Sequence, residues 1–471
     1  MTKGLSVVEK SLTVIYENKD FRFDSSFYTD EPILNPNIQY KKIGECLDVS
    51  QYGISIAMNE EAIGYPIYRM NEIHNMLCDF SVDKHADVPI EDAQPFILND
   101  KDVLFNRTNS FEWVGRTGVY RKSTTEDFIF ASYLVRFVPK TELINPEYLA
   151  AFLSCKFGVQ DIKRRARQSI NQTNVNPEEV KQIFIPMFSS GLQSRVTDNF
   201  DRGYDLLLTS KDLYSQAESL LTSNLGLDDL CLSTESNNIK SFKSSFLSTG
   251  RLDAEYYQPK YDELIDKIKR SSYEVLANLV DIQKSIEPGS DAYQESGIPF
   301  YRVSNLTKFG LTQPDIHLDK HKYIDIINPE KDTILLTKDG TVGVAYKVTE
   351  NIGGITSGAV LHLNIKKDKK FAVLPDYLTL VLNSKVVKLQ AERDAGGSII
   401  QHWKPSEIEE VVIPLLEMEI QKQISDLIQK SFQLKIESEQ LLEDAKSLVE
   451  YAIELGEDKA VRDYELGLIK G

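Results

Sequence analysis

The decapeptide DYLTLVLNSK, Asp376–Lys385, restates an earlier one, EYLAAFLSCK, Glu147–Lys156. Tyr148 and Tyr377, Leu149 and Leu378, Leu153 and Leu382, and Lys156 and Lys385 each lie 229 residues apart, nearly half of a 471-residue chain. A helical apolar pattern can recur by accident, so the shift has to be sought elsewhere before it means anything. RFDSSFY from Arg22 returns as RLDAEYY from Arg251, again at 229. DVLFNRTNSFEWVG from Asp102 answers DTILLTKDGTVG from Asp332 at 230, RQSINQ from Arg167 answers GGSIIQ from Gly396 at 229, and KQIFIPM from Lys181 answers EVVIPLL from Glu410 at 228. Five matches in one order, with the shift drifting by a residue or two, mean an internal duplication.

The length suits two large domains, each able to bury a core of its own. Hydrophobic content of 41%, with 22 Tyr and 21 Phe, is that of a globular chain. No apolar run approaches the roughly 18 residues of a membrane span. The first twenty residues place charges at Lys3, Glu9, Lys10 and Glu17, which interrupts any secretory apolar core and points to a cytoplasmic protein. Cys46, Cys78, Cys155 and Cys231 are too widely spaced for a disulfide framework or a metal knuckle. His317 and His321 have i, i+4 spacing but lie in the loop-like stretch after Pro314 with no glutamate between them, so no metal site is expected.

Each copy ends in an apolar stripe. After Pro186 it runs through Leu192, Val196, Phe200, Tyr204, Leu207, Leu208, Leu213, Leu220, Leu221 and Leu225; after Pro414 it runs from Ile420, Ile424, Leu427 and Ile428 to Leu448, Val449 and Ile453. Steps of three and four without proline predict one long helix per copy, about 35 residues and roughly 50 Å. Two such helices related by the duplication can bury their stripes on each other, antiparallel about an approximate two-fold axis. The expected architecture is a mixed α/β (α+β) fold with two tandem similar heads, each followed by a long helix, the helices pairing as an antiparallel coiled-coil strut. The expected boundaries are 1–190 for the first head, 191–227 for its helix, 228–416 for the second head, 417–453 for its helix, and 454–471 for an acidic tail.

Strand-like runs in the heads are DVLFN, SYLVRFVP from Ser132, DTILLT, and AVLHLNI from Ala359. The loops between such elements are where function is expected. In the first head they hold Asn106, Arg107, Asn109, Arg116, Arg121 and Lys122, then Arg164, Arg165, Arg167, Gln168, Asn171 and Gln172. In the second they hold Arg302, Ser304, Lys338, Lys347, Arg393, Ser398, Gln401, His402, Trp403 and Lys404. Arg, Asn and Gln can bond base edges bidentately, Lys and Ser hold phosphates, and His402 and Trp403 offer stacking surfaces. A net charge of −17 opposes binding to DNA by the chain alone. Residues 416–471 hold 13 acidic and 7 basic side chains, so about a third of the excess lies on the last helix and tail. A basic partner is expected to help.

The order RxDxxYY, DxLLTxxGxxG, YLxxxLNSK, GS, IPL and a long helix begun by IQKQI, all duplicated, resembles the specificity subunit of Type I restriction-modification enzymes. The second copy carries the better match, with YRVSNL from Tyr301, DTILLTKDGTVG, LNSK, GGSI and VIPLLEMEIQKQI from Val412. In the first, IPMFSSGLQSRV from Ile185 lacks the second proline and the glutamates, and SINQTN stands where GS is usual.

The resemblance implies two target recognition domains, each reading one half of a bipartite asymmetric DNA sequence, with the helices setting the unread spacer. It implies two modification subunits that bind S-adenosylmethionine and methylate adenine N6, a translocating restriction subunit, and a role in phage defence. No cofactor is expected in this chain, whose partners would be double-stranded DNA and those subunits. Base-contacting residues do not transfer from the family, so the nineteen expected DNA contacts rest on loop chemistry: Asn106, Arg107, Asn109, Arg116, Arg164, Arg165, Arg167, Gln168, Asn171, Gln172, Arg302, Ser304, Lys338, Arg393, Ser398, Gln401, His402, Trp403 and Lys404. The chain has neither the Asp/Asn-Pro-Pro-Tyr/Phe motif of an adenine methyltransferase nor a GxxxxGK[ST] phosphate loop, and no nucleophile stands beside a base. A non-catalytic subunit is expected. The other readings are a subunit of a related bifunctional restriction-methylation enzyme, a DNA mimic, and a duplicated protein scaffold without a DNA role.

Overall fold

The computed structural model describes residues 8–17, 22–170, 172–228, 230–326, 328–367, 372–396 and 401–469. Its principal helices are α1 (Pro146–Ser154), α2 (Lys156–Arg165), α3 (Ser190–Leu225), α4 (Pro375–Asn383), α5 (Lys385–Asp394), α6 (Met418–Leu455) and α7 (Glu457–Glu465). Proline opens α1 and α4, where its fixed φ suits the first turn and its missing N–H is no loss. The repeated decapeptide is one run in sequence and two helices in space. Cys155 and Ser384, 229 residues apart, both take φ −77° and ψ 165°, which ends the first helix and starts the second at a new angle.

The chain divides into two units, Met1–Leu208 with Lys435–Gly471, and Thr209–Leu434. The limits of both fall inside the long helices, so each unit owns part of α3 and part of α6.

In the first unit a six-stranded sheet runs in the order Leu47–Tyr52, Leu134–Pro139, Val103–Asn106, Thr117–Val119, Met76–Cys78, Ile73–His74. Val103–Asn106 reads as an apolar run because it is central and buried throughout, and its Phe105 meets Phe137 at 5.7 Å between ring centroids. α1 covers this sheet. Tyr148, Leu149, Ala150, Ala151 and Leu153 are fully buried, so the helix is apolar on nearly every side. The Tyr148 hydroxyl donates to the Pro186 carbonyl at 2.7 Å. Leu192, Val196, Phe200 and Tyr204 of α3 join the same core, against Leu442, Ala445, Leu448, Val449 and Ala452 of α6.

Here the two helices run antiparallel: Ser189, just before α3, meets Glu457, and Gly203 lies beside Ser438, whose hydroxyl donates to the Gly203 carbonyl at 2.6 Å. A Cβ on Gly203 would sit 3.1 Å from Leu442, so the glycine is what permits this approach. Residues 454–471, expected as an acidic tail, include α7. It buries Ala460 in this core, and the Tyr464 hydroxyl donates to Asn199 at 2.7 Å.

In the second unit the main sheet has four antiparallel strands in the order Val280–Lys284, Val360–Ile365, Ile334–Thr337, Ala345–Lys347. α4 packs on it through Tyr377, Leu378, Val381 and Leu382. Asn383 of the LNSK motif binds both backbone groups of Ala345, at 3.0 and 2.7 Å, tying the end of α4 to the edge strand. The Tyr377 hydroxyl donates to the Pro414 carbonyl at 2.8 Å, the counterpart of Tyr148 and Pro186. Within this unit Ser210 of α3 and Ser431 of α6 each donate a hydroxyl to the other's carbonyl, both at 2.7 Å. Gln193 and Gln421, 228 residues apart, each accept a backbone N–H just before the first helical turn of α1 or α4 and donate to two carbonyls nearby. The two heads and long helices expected from the duplication are therefore present, and the paired helices bury most of the stripes, with Leu208 left exposed.

Candidate nucleic-acid interface

RFDSSFY and RLDAEYY explain where the interface loops begin. Arg22 donates to the carbonyl of Arg165 at 2.8 Å, at the end of α2; Arg251 donates to that of Asp394 at 2.9 Å, at the end of α5. An arginine on an orphan C-terminal carbonyl satisfies it and suits the helix dipole. Each arginine is held by the aspartate two residues on, Asp24 or Asp253, and each motif's last tyrosine, Tyr28 or Tyr257, donates back to the arginine's carbonyl. Both aspartates are held below the usual carboxylate range, chiefly by that arginine.

From that fixed point the first unit projects a ribbon. Its strands are β1 (Thr108–Asn109), β2 (Arg167–Gln168) and β3 (Thr173–Asn174), with β3 central and both pairings antiparallel. Gln168 faces Thr173, which faces Asn109. The Ser169 N–H donates to the Gln172 carbonyl at 2.8 Å and closes the hairpin. Residues far apart in sequence, Asn109 with Arg167 and Gln168, thus share one small sheet with Gln172 in its turn, and the last three are exposed. Asn171 lies outside the described residues.

The loop after β1 carries Phe111 and Trp113, each more than two-fifths exposed. The Lys163 ammonium holds this loop by donating to the carbonyls of Phe111, Glu112 and Val114. Burial pushes its pKa down to about 8. The Arg116 guanidinium lies 3.5 Å from the centre of the Trp113 ring, and burial lowers its pKa too. Arg107 sits 5.1 Å from the Tyr52 ring and donates to the Ser132 carbonyl. The aromatic pair Phe111 and Trp113 was not among the expected contacts; its signal was two large rings in a short loop directly after a polar turn.

Several expected contacts point inward instead. Arg164 and Arg165 are 9% and 6% exposed. Arg164 binds Asp161 and the Phe27 carbonyl, Arg165 bridges Asp161 and Glu179, and both lie against the Phe27 ring. Their charges serve the interior because Asp161 sits three and four residues before them on one helix face. Asn106 is fully buried on its strand, with its side chain turned to the Met70 carbonyl. Arg121 and Lys122 pair with Asp201 and Asp127.

The second unit joins the matching segments. Asp339 bridges His402, and Gly396 bridges His402 from the other side. Asp339 is the counterpart of Asn109 and His402 that of Thr173, at the duplication shifts of 230 and 229. The Gly340 N–H donates to the Gln401 carbonyl at 2.9 Å, and His402 Nδ1 stands 2.8 Å from Asp339 Oδ1. Lys338 forms an ion pair with Asp339. Burial acts to raise the Asp339 pKa, but the hydrogen bonds from Lys338 and His402 outweigh it and the net direction is down.

Gln401, His402 and Lys404 are exposed, as is Ser304; Lys404 and Arg302 reach Glu407 and Asp315. Arg393 is paired with Asp394 and stacked 5.1 Å from the Tyr256 ring, and Lys347 binds Asp376 at 2.6 Å. Trp403 is 1% exposed and fills the core below Gly343, so it offers no stacking surface. Ser398 lies outside the described residues.

Residues 276–445 match the family model for the Type I restriction modification DNA specificity domain. The chain is 24% identical over 422 residues to a protein of Methanocaldococcus jannaschii provisionally named the MjaX type I restriction enzyme specificity subunit, covering 87% of this chain and 91% of the relative. It is 25% identical over 130 residues to the EcoKI specificity subunit of Escherichia coli K12, 27% of this chain and 28% of that one. Among solved structures, the Type I restriction-modification S subunit of M. genitalium aligns over 91% of this chain and 97% of its own, at 14% identity and a TM-score of 0.40. The second copy is thus similar to the Type I restriction modification DNA specificity domain, and over most of its length the chain is similar to a Type I restriction enzyme specificity subunit.

Proposed function

We propose that this chain is the DNA-reading, non-catalytic subunit of a cytoplasmic restriction-modification complex. Its two heads, residues 1–190 and 228–416, each read one half of a bipartite asymmetric target, and the chain directs adenine-N6 methylation and restriction by partner subunits. Two modification subunits would supply S-adenosylmethionine and the methyl transfer, and a translocating restriction subunit would cut. One observation carries this reading. Both units join the loop after the central strand to the segment after the second short helix, Asn109 to Thr173 in one and Asp339 to His402 in the other, and surround that join with different side chains: Asn109, Arg167, Gln168 and Gln172 against Lys338, Asp339, Gln401 and His402.

Arg, Gln and Asn read guanine and adenine edges in the major groove, and a Lys, Asp and His set reads other patterns, so the halves should differ. A net charge of −17 means that phosphate neutralisation must come largely from the modification subunits. Among the exposed bets, Arg167, Gln168, Gln172, Gln401, His402 and Lys404 are the base and phosphate contacts we favour.

The test is to co-purify the chain with a Type I modification subunit from the same host and select from random duplexes across a salt series, alongside sequencing of methylated adenines in hosts with and without the gene. A split, non-palindromic motif from both is the expected result. A palindromic or continuous motif overturns the two-half reading, and no enrichment at any salt overturns the DNA role.

A further inference from the structure

Ile170 stands at the tip of the β2–β3 hairpin with its side chain wholly in solvent, at 101% relative exposure. Turn tips favour Gly, Asn, Asp and Ser, whose side chains suit the backbone or bond to it; a stiff β-branched isoleucine does neither. A single exposed apolar residue is ordinary on a flat surface. This one is held away from the body of the unit by a closed turn. The Ser169 N–H and hydroxyl both donate to the Gln172 carbonyl, at 2.8 and 2.7 Å, and Arg167 pairs with Asn174 behind them. The groups flanking it, Arg167, Gln168 and Gln172, are all exposed and all suited to base edges.

A two-stranded ribbon fits the major groove, and the apolar feature displayed there is the 5-methyl group of thymine. We infer that Ile170 is a specificity-determining residue that packs on a thymine methyl in the half-site read by the first unit, between the polar contacts of Arg167 and Gln168 on one side and Gln172 on the other. This rests on the proposed DNA reading and goes beyond it, by naming one residue and one chemical group. Removing one buried methyl corresponds to a loss of about fourfold in affinity.

The experiment uses the full chain in complex with its methyltransferase and the selected duplex. Each thymine of both half-sites is replaced singly by deoxyuridine, which keeps pairing and removes only the methyl. One position should weaken binding by the wild-type complex about fourfold. Ile170→Ala should weaken binding to the thymine duplex by a similar factor and bind thymine and uracil duplexes alike, while Ile170→Val keeps part of the discrimination. The inference is overturned if no substitution affects the wild type, or if the uracil effect survives in Ile170→Ala. If the complex binds no duplex at all, the proposed DNA reading fails first, which is a distinguishable result.

Discussion

Replacing Asp161 by Asn keeps the shape of the side chain and removes its charge. In the first unit this carboxylate, 6% exposed, lies 2.7 Å from the Arg164 guanidinium and 3.1 Å from that of Arg165. Arg22 joins them around the Phe27 ring, so three guanidinium groups then share the carboxylates of Asp24 and Glu179. Removing one partner of a buried pair costs roughly 3–5 kcal/mol, and the retained amide oxygen brings this towards ~3. For a unit of about 250 residues, each kcal/mol moves the midpoint by about 2–4 °C, so calorimetry on the full chain should show one transition lowered by about 6–12 °C. Hydrogen exchange at residues 161–185 assigns that transition to the first unit. The double variant D161N/R164M, which removes charge from both sides, should lie closer to wild type than D161N alone. A shift below about 2 °C, or a double variant worse than the single one, would refute the claim that these arginines are committed to the interior.

Three further outcomes are expected. Arg167→Ala with Gln168→Ala should weaken target binding by roughly ten- to a hundredfold while leaving the calorimetric midpoints within about 1 °C, because both side chains are exposed. His362 is 3% exposed, its Nε2 lies 2.7 Å from the Thr356 hydroxyl, and burial pushes its pKa down to about 4. The unfolded chain therefore binds the extra proton between about pH 6.5 and 4, so the second unit should lose up to ~3 kcal/mol as pH falls through that window; urea midpoints at several pH values check this, and His362→Gln should flatten the slope. Tyr148→Phe and Tyr377→Phe each strand a buried proline carbonyl and should each cost about 1–2 kcal/mol, read as separate losses in the two calorimetric transitions; equal shifts of both transitions by either variant would contradict the assignment.

The duplicated ladder was enough to read the architecture from sequence, because several equivalent positions hold the same bond in both units. Arg22 with Arg251, Tyr148 with Tyr377 and Gln193 with Gln421 are instances. The break inside the repeated decapeptide was not legible, since Cys155 and Ser384 carry no proline or glycine; an extended residue there is imposed by packing. Loop chemistry selects Arg167, Gln168 and Gln172, which the fold leaves exposed, but equally selects Arg164 and Arg165, which the fold buries on Asp161, a partner legible at helical spacing. Glu179 was not legible, as it is brought in by the fold from fourteen residues on. Trp403 was misjudged because an aromatic beside polar residues in a loop gives no hint of depth.

The division of the chain bears on its birth at the ribosome. The second unit, Thr209–Leu434, is one continuous stretch and can close as soon as it emerges. The first unit is in two pieces, and its second piece begins at Lys435, so 226 residues must be translated after Leu208 before it can be completed. At about 5–20 residues per second that is a wait of roughly 11–45 s. Throughout it Leu192, Val196 and Phe200 lack the partners Leu442, Leu448 and Val449 that later seal them. The nascent first unit is therefore the part of the molecule that most needs a chaperone, and a transcript truncated after Leu434 would yield one finished unit and one that cannot close.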